Sequence, residues 1–233
     1  MMMKKLKIVS LVALMMPVFC LTDVCNAQII GMGSILRLVS GSTIDLWYFT
    51  VNTSGTIIFD TKSWERDPSN TSIFIDVNGD GEIAFFNTMI ILFTDDGSLD
   101  ASDKITSNDN SSLTFGDGSI SSNDAYKSKS LAAGSYILAI GATGMTTANA
   151  IAGVHPSNFY PKGLNFTNSD HGDYQITFTG DLTITSFPSN ATVVPEPTTM
   201  SLLGIGLGGV VLALRRKSLA TKGTKDARSE ILS

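Results

Sequence analysis

Tyr174-Gln175-Ile176-Thr177-Phe178-Thr179 alternates between aromatic or aliphatic residues and polar ones. Successive side chains of a β-strand point to opposite faces, so this period of two predicts a half-buried strand. Gly180-Asp181 follows and leads into a second β-rich run, Asp181–Phe187. A Gly-Asp pair between two such runs is typical of a hairpin turn, and we therefore expect the two strands to pair.

Similar runs recur along the middle of the chain, between residues 28 and 190. They are rich in β-branched and aromatic residues, and no long segment has the 3.6-residue period of a helix. The runs are Ile44–Val51, Gly55–Asp60, Ser72–Val77, Thr88–Thr94, Ser135–Gly141, Asp173–Thr179 and Asp181–Phe187. Strands at this spacing predict an all-β fold, a jelly-roll-like β-sandwich, for the exported domain at 28–190.

The N-terminus has the three parts of a secretory signal peptide. Lys4–Lys7 carries three lysines and precedes the apolar run Ile8–Phe19, which is short for a membrane span. Cys25-Asn26-Ala27 then has small residues where a signal peptidase cuts. We expect residues 1–27 to be a signal helix that is removed after Ala27. The alternative is an uncleaved N-terminal anchor.

The C-terminal segment has a motif, an apolar run and a basic cluster in that order. Val194-Pro195-Glu196-Pro197 is followed by Thr198–Leu214 and then by Arg215-Arg216-Lys217. The apolar run spans about 26 Å as a helix, and snorkelling arginines extend it to the ~30 Å of a hydrocarbon core. We therefore predict a transmembrane helix at 198–214. The basic cluster stops transfer and stays in the cytoplasm, which leaves the middle of the chain outside.

This arrangement resembles the PEP-CTERM sorting signal over residues 194–217. In that family the Pro-Glu-Pro motif is recognised by an exosortase, a membrane transpeptidase. The resemblance implies cleavage near Pro195–Pro197 and transfer of the exported domain to the cell surface or to exopolysaccharide. Residues 218–233 extend past the point where family members usually end, and their polar composition predicts a disordered cytoplasmic tail.

A second resemblance lies within the middle of the chain. Phe74–Gly81 leads to Ile90–Leu99, and then to Ser107–Asn110 and Leu131–Ile140. This order is similar to pre-peptidase C-terminal-type β-sandwich domains, in which an LFDxxG strand and turn, an N-D loop and an L-xx-G-x-Y-x-L-x-I strand follow one another. It implies a jelly-roll-like fold and a binding or accessory role. The segment Gly144–Asp173 departs from that pattern as an insertion.

Charge and cysteine content exclude several functions. The chain has a net charge of −5, but residues 28–197 hold 18 acidic and 7 basic residues, a net charge of −11. Such a domain repels nucleic-acid phosphates and attracts Ca²⁺ or basic surfaces, so we expect no nucleic-acid binding. Cys20 and Cys25 both precede the predicted cleavage point, which leaves the exported domain without a thiol.

One loop carries the oxygen-rich pattern of a cation site. Asp76, Asn78 and Asp80, followed by Gly81, spell D-x-N-x-D-G, and ligands on alternate residues suit Ca²⁺. A complete EF-hand needs a glutamate at the twelfth position, where this chain has Asn87. The alternative is a metal-free turn built by Asx side chains. Four more acidic residues either join this site or form a solvated turn: Asp95, Asp96, Asp100 and Asp103.

Histidine and aromatic residues provide two further candidates. His171 lies near Asp170 and Asp173, which allows a metal or acid–base site, and the alternative is a plain surface histidine in a loop. Trp64 is the aromatic residue best placed for a sugar platform, against the alternative of core or turn packing. In Trp47-Tyr48-Phe49, alternation predicts that one set enters the core.

The functional prediction follows from sorting rather than from catalysis. No nucleophile elbow, zinc-hydrolase helix motif or phosphate-binding loop occurs in the sequence. We predict a non-enzymatic protein of the cell surface or exopolysaccharide matrix, processed by signal peptidase and exosortase and anchored in the membrane. A Ca²⁺- or glycan-binding module is the first alternative. A secreted hydrolase with an unrecognised carboxylate pair is the second.

Overall fold

The computed structural model describes residues 28–64, 66–67, 70–111, 121–156, 161–163 and 166–194, which are mostly β-structure. The strands are β1 (Gln28–Leu38), β2 (Gly41–Thr43), β3 (Asp45–Val51), β4 (Gly55–Lys62), β5 (Arg66–Asp67), β6 (Asn70–Phe74), β7 (Ala84–Phe85), β8 (Thr88–Thr94), β9 (Lys104–Asn108), β10 (Tyr126–Leu131), β11 (Gly134–Ala142), β12 (Val154–His155), β13 (Lys162–Gly163), β14 (His171–Thr179), β15 (Leu182–Ser186) and β16 (Thr192–Val194). A 3-10 turn at Ala101–Asp103 and a short helix, α1 (Thr147–Ala152), complete these elements. The prediction of an all-β fold is confirmed.

Most of these strands belong to two antiparallel sheets. The seven-stranded sheet has the order β10-β4-β14-β1-β2-β12, with β16 also paired to β1. The five-stranded sheet has the order β15-β3-β11-β8-β9. The ladder between β1 and β14 runs from Gln28 opposite Thr179 to Leu36 opposite His171. It places the start of β14 at the end of the sheet where the candidate site lies.

The inner faces of the two sheets share one hydrophobic core. Trp47 and Phe49 of β3 are 0% and 1% exposed, as the alternation in this strand predicts. The Phe49 ring lies 5.5 Å from that of Phe59 and 5.9 Å from that of Phe178, both on the opposite sheet. Burial of each such side chain contributes roughly 1.5–3 kcal/mol, so these aromatic contacts are a major stabilising term between the layers.

β1 passes so close to this core that two of its residues need to be glycine. A Cβ on Gly31 would lie 2.2 Å from Trp47 Cη2, and one on Gly33 would lie 2.6 Å from the Tyr174 hydroxyl. That hydroxyl accepts a hydrogen bond from Trp47 Nε1 (2.9 Å) and donates one to Asp45 (2.7 Å). This buried chain of hydrogen bonds ties β3 of one sheet to β14 of the other.

The centre of the five-stranded sheet, β8 and β11, is buried on both faces. Ile90 and Leu92 of β8 face the shared core, whereas Ile91 and Phe93 belong to a second apolar cluster. α1 contributes Ala150 to this second cluster. The segment expected to be an insertion therefore covers the outer face of the sheet, and burial on both faces explains why β8 is a continuous apolar run.

The hairpin predicted at Gly180-Asp181 is wrong. β14 lies in the seven-stranded sheet, whereas β15 pairs with β3 in the five-stranded sheet. Both edges of β14 are already occupied, one by β1 and the other by β4, so β15 has no free edge there. Gly180-Asp181 is the crossover between the two layers.

Two predicted elements lie outside the described residues: the signal helix at 1–27 and the transmembrane helix at 198–214. The tail at 218–233 lies outside them as well. Within the part of the chain that the structure describes, no helix combines the length and apolarity needed to cross a membrane. The jelly-roll connectivity stays a prediction.

Candidate functional site

Polar side chains from two distant parts of the chain meet at the start of β14. His171 and Asp173 are two residues apart on this strand, so their side chains point to the same face. The loop between β6 and β7 brings Asp80 beside them. One atom of each residue that could ligate a metal, a ring nitrogen or a carboxylate oxygen, lies within 4.8 Å of the other two. We call Asp80, His171 and Asp173 the His171 cluster.

The loop that carries Asp80 is held by hydrogen bonds from backbone to side chain. Asp76 accepts hydrogen bonds from the N–H groups of Gly79 (2.6 Å) and Gly81 (2.8 Å). Asn78 accepts one from the N–H of Asp80 (3.1 Å) and donates one to its carboxylate (3.0 Å). These contacts belong to the Asx-turn alternative that the sequence left open, and Ca²⁺ binding at Asp76, Asn78 and Asp80 stays a prediction.

His171 Nε2 is surrounded by carboxylate oxygens. It lies 3.5 Å from Asp173 Oδ2, 4.0 Å from Asp80 Oδ2 and 3.7 Å from Glu82 Oε2. The Asp173 side chain is 1% exposed, against 43% for that of Asp80 and 71% for that of Glu82. The cluster is therefore buried on the side of Asp173 and exposed to solvent on the side of the loop.

Hydrogen bonds from outside the cluster orient both β14 side chains. His171 Nδ1 lies 2.7 Å from Asp170 Oδ1, so a proton on Nδ1 is donated to that carboxylate. Ser34 Oγ donates to Asp173 Oδ1 at 2.6 Å. The remaining atoms, His171 Nε2 and Asp173 Oδ2, are buried and have no hydrogen-bond partner. Two unpartnered polar atoms thus face each other inside the protein, which is rare in folded chains.

The pKa values of both β14 side chains are raised, for different reasons. Burial raises the pKa of Asp173 to about 6, although the hydrogen bond from Ser34 and the charge of His171 lower it. Burial lowers the pKa of His171, but the hydrogen bond with Asp170 and the charges of Asp173, Asp170 and Asp80 outweigh it, so that pKa is raised. Desolvation thus outweighs the charge of His171 at Asp173, whereas the surrounding carboxylates outweigh desolvation at His171.

Sequence reasoning placed the members of this cluster in two separate sites. It placed His171 with Asp170 and Asp173 in one candidate site, and Asp80 in the Ca²⁺ loop. The alternative of a plain surface histidine in a loop is wrong, because His171 is the half-buried first residue of β14. No sequence pattern links position 80 to position 171, since the contact depends on how the loop folds onto the sheet.

The other acidic candidates bond within their own turn. Asp100 accepts a hydrogen bond from the N–H of Ser102 (2.7 Å), and Asp103 accepts one from the N–H of Asp100 (2.8 Å). Asp95 and Asp96 each accept a hydrogen bond from a backbone N–H two residues further on. These contacts fit the turn alternative for the four residues.

Trp64 belongs to an aromatic group that is partly open to solvent. Its ring lies 4.9 Å from that of Phe85 and 6.0 Å from that of Phe166. Phe85 is 1% exposed, whereas Phe166 is 51% exposed and has a φ of 59°, which phenylalanine rarely adopts. Phe85 therefore packs under Trp64, and Phe166 presents an aromatic face to solvent.

The last described strand runs into the predicted sorting motif. β16 pairs with β1, and its residue Val194 lies opposite Ile30. Val194 is the first residue of the motif; Pro195-Glu196-Pro197 and Arg215-Arg216-Lys217 lie outside the described residues. Gln28, which follows the predicted signal-peptidase cut, is the first residue of β1. Both predicted processing points therefore adjoin the same pair of strands.

Comparison with protein families bears on this C-terminal segment. Residues 193–217 match the PEP-CTERM protein-sorting motif. The PEP-CTERM motif indicates a protein that is exported, anchored in the membrane and sorted to the cell surface by an exosortase. No curated protein and no solved structure matches the chain. The resemblance of the middle segment to pre-peptidase C-terminal-type domains stays a prediction.

Proposed function

We propose that this chain is a structural or interaction protein of the cell surface or exopolysaccharide matrix, and that its β-domain has no catalytic role. The match of residues 193–217 to the sorting motif carries the proposal. The motif begins where β16 ends, so a cut near Pro195–Pro197 releases the β-domain with its core intact. The net charge of −11 over residues 28–197 suits a hydrated, cation-rich matrix.

The short pairing of β16 supports processing at the motif that follows it. β16 is joined to β1 at three paired positions, Thr192 to Val194. A strand this short opens easily, because the net contribution of each hydrogen bond is only about 0.5–1.5 kcal/mol. An exosortase can therefore detach β16 from β1 without unfolding the rest of the domain.

Mass spectrometry of the protein from cell envelope and medium tests the sorting. We expect mature molecules to end near Pro195–Pro197 and to lack Thr198–Ser233. Glu196→Ala is expected to retain the C-terminal segment, whereas Ser189→Ala, an exposed change just upstream of the matched residues, is expected to be processed normally. An intact Thr198–Ser233 in every mature molecule would refute the proposal and leave a single-pass anchor.

Glycan binding is a second candidate role, supported by the exposed aromatic group. Phe166 is 51% exposed and its ring lies 6.0 Å from that of Trp64, so the two rings offer an apolar surface on which a sugar ring can pack. A glycan array with and without Ca²⁺ tests this role. We expect Phe166→Ala to lose binding and Phe187→Ala, which removes another exposed phenylalanine, to keep it. Equal binding by both variants, or no bound glycan, would reject the role.

The hydrolase alternative requires two carboxylates converging on a cleft. The open hollow of about 450 Å³ beside β3 has one carboxylate among its lining residues, that of Asp45. That carboxylate accepts the hydrogen bond from Tyr174, which gives it a structural partner. These observations support the non-enzymatic role over a hydrolase that uses this hollow.

A further inference from the structure

The interior of the His171 cluster contains an unsatisfied polar contact. His171 Nε2 and Asp173 Oδ2 lie 3.5 Å apart, and neither atom has a hydrogen-bond partner. Nδ1 is already engaged with Asp170 at 2.7 Å, which leaves Nε2 as the ring nitrogen directed into the cluster. The Asp173 carboxylate that Nε2 faces is 1% exposed. A cation between the two atoms would give both of them a partner.

We propose that the cation is a divalent transition-metal ion, bound by Nε2 of His171 and by the carboxylates of Asp80 and Asp173, with Zn²⁺ as its representative. The proposal goes beyond sorting and does not depend on it.

The spacing of the two ligand atoms on β14 fits a single ion. Ligands 2.0–2.1 Å from a tetrahedral Zn²⁺ are about 3.4 Å apart. Asp173 Oδ2 is already 3.5 Å from His171 Nε2, and Asp80 Oδ2 is 4.0 Å from it. Asp80 lies on an exposed loop and its side chain is 43% exposed. Its Oδ2 closes the remaining gap by exchanging the hydrogen bond that it accepts from Asn78 for the ion. The buried pair thus forms a rigid half of the site and Asp80 an adjustable one.

The outer contacts of the cluster are those of a metal site. Histidine ligands commonly donate their second ring N–H to a carboxylate, which fixes the tautomer and raises the basicity of the ligating nitrogen. Asp170 is in that position, 2.7 Å from Nδ1. Ser34 donates to the other oxygen of Asp173 at 2.6 Å and leaves Oδ2 directed at the cluster. Each ligand on β14 is therefore oriented before an ion arrives.

The donor set selects the class of metal. Ca²⁺ takes six to eight oxygen ligands, whereas imidazole nitrogen together with carboxylates suits Zn²⁺ and its first-row neighbours. Three protein ligands leave a further position, and Glu82 Oε2, 3.7 Å from His171 Nε2, or a water molecule can take it.

Zn²⁺ titration by calorimetry tests the proposal. The full chain is purified in detergent through a tag without histidines, stripped with EDTA, and carries Cys20→Ser and Cys25→Ser to remove two competing ligands. We expect one Zn²⁺ per chain with a Kd of about 1 μM or lower, and a Tm increase of about 5–10 °C at a hundredfold excess over Kd. Co²⁺ is expected to give visible d–d bands that report imidazole coordination.

Three variants and a matched control assign the site. His171→Gln and Asp173→Asn are expected to weaken Zn²⁺ binding at least about 100-fold and to abolish the Co²⁺ bands. Asp80→Asn tests a ligand on the exposed loop, where the change leaves the β-core untouched, and should weaken binding more than about tenfold. Asp96→Asn makes the same chemical change in an exposed turn and should bind as the parent does.

Each contrary result overturns the proposal. If no Zn²⁺ binds to the folded parent chain, the gap between His171 and Asp173 holds a proton instead. If Zn²⁺ binds equally to the parent and to Asp80→Asn and His171→Gln, the ion lies elsewhere. If Ca²⁺ binds, Zn²⁺ does not compete and Asp76→Asn alone removes binding, the loop is the oxygen site first expected from the sequence.

Discussion

Replacement of Tyr174 by phenylalanine tests the hydrogen-bond chain between the two sheets. Trp47 Nε1 donates to the Tyr174 hydroxyl at 2.9 Å, and that hydroxyl donates to Asp45 at 2.7 Å. Trp47 and Tyr174 are 0% exposed, so water does not replace the bond lost by Trp47, whereas Asp45 is 5% exposed and lines the hollow beside β3. A phenylalanine ring occupies the same space, so the change removes only the shared oxygen.

The expected cost follows from the two lost bonds. The neutral bond from Trp47 contributes about 1 kcal/mol, and the bond to the Asp45 carboxylate about 1.5–3 kcal/mol. We therefore expect the free energy of unfolding to fall by about 3 kcal/mol at pH 7. Burial raises the pKa of Asp45 to about 6, although Tyr174 lowers it, so the carboxyl is mostly protonated at pH 5 and the loss should be smaller there.

Urea unfolding of the full chain in mild detergent, followed by circular dichroism, measures this loss. Tyr136→Phe is the matched control: Tyr136 is 7% exposed and its hydroxyl donates to the backbone carbonyl of Ala132 at 2.9 Å. Ala132 is exposed, so water can replace that bond and the control should lose about 1 kcal/mol or less. An equal fall in the free energy of unfolding of the two variants would refute a special contribution of the hydrogen bonds that link Trp47, Tyr174 and Asp45.

Two further predictions concern the same core. Gly31→Ala places a Cβ 2.2 Å from Trp47 Cη2 and should lower the free energy of unfolding by about 1–3 kcal/mol. In the control Gly55→Ala, the new Cβ would approach no atom closer than 3.7 Å, so the free energy of unfolding should change by about 0.5 kcal/mol or less. Equal urea midpoints for the two variants would contradict this prediction. Burial raises the pKa of Asp45 from 3.8 to about 6 on folding, so the folded state binds the proton more tightly than the unfolded state. Ionisation of Asp45 therefore lowers the free energy of unfolding by up to about 3 kcal/mol as the pH rises from about 4 to 6. Asp45→Asn should remove that part of the slope in urea titrations at several pH values, and an unchanged slope would count against the burial argument.

Local strand content is readable from the sequence because it depends on neighbouring residues. The run Thr88–Thr94 coincides with β8, and the run that begins at Ile44 starts one residue before β3. β1 is absent from the sequence-based runs, because Gly31 and Gly33 interrupt its apolar pattern. Those glycines are required by the rings of Trp47 and Tyr174, which belong to other strands.

The residues of the candidate site were likewise recognisable from the sequence only in part. Asp76, Asn78 and Asp80 were recognisable as an oxygen-rich loop, and Asp173 as a neighbour of His171. The contact between Asp80 and His171 was not recognisable, because it arises only when the loop after β6 lies against the start of β14. The burial of Asp173, on which the metal proposal depends, follows from the same packing.

By itself, the sequence determined where the chain is sent and that its middle is built from strands. Signal, motif and strand patterns are linear, and short stretches of residues carry them. The tertiary structure alone decided which strands share a sheet, why Gly180-Asp181 crosses between layers, and which acidic side chain meets His171. Those outcomes depend on competition for strand edges and on burial in a common core, and both are settled only when distant segments pack together.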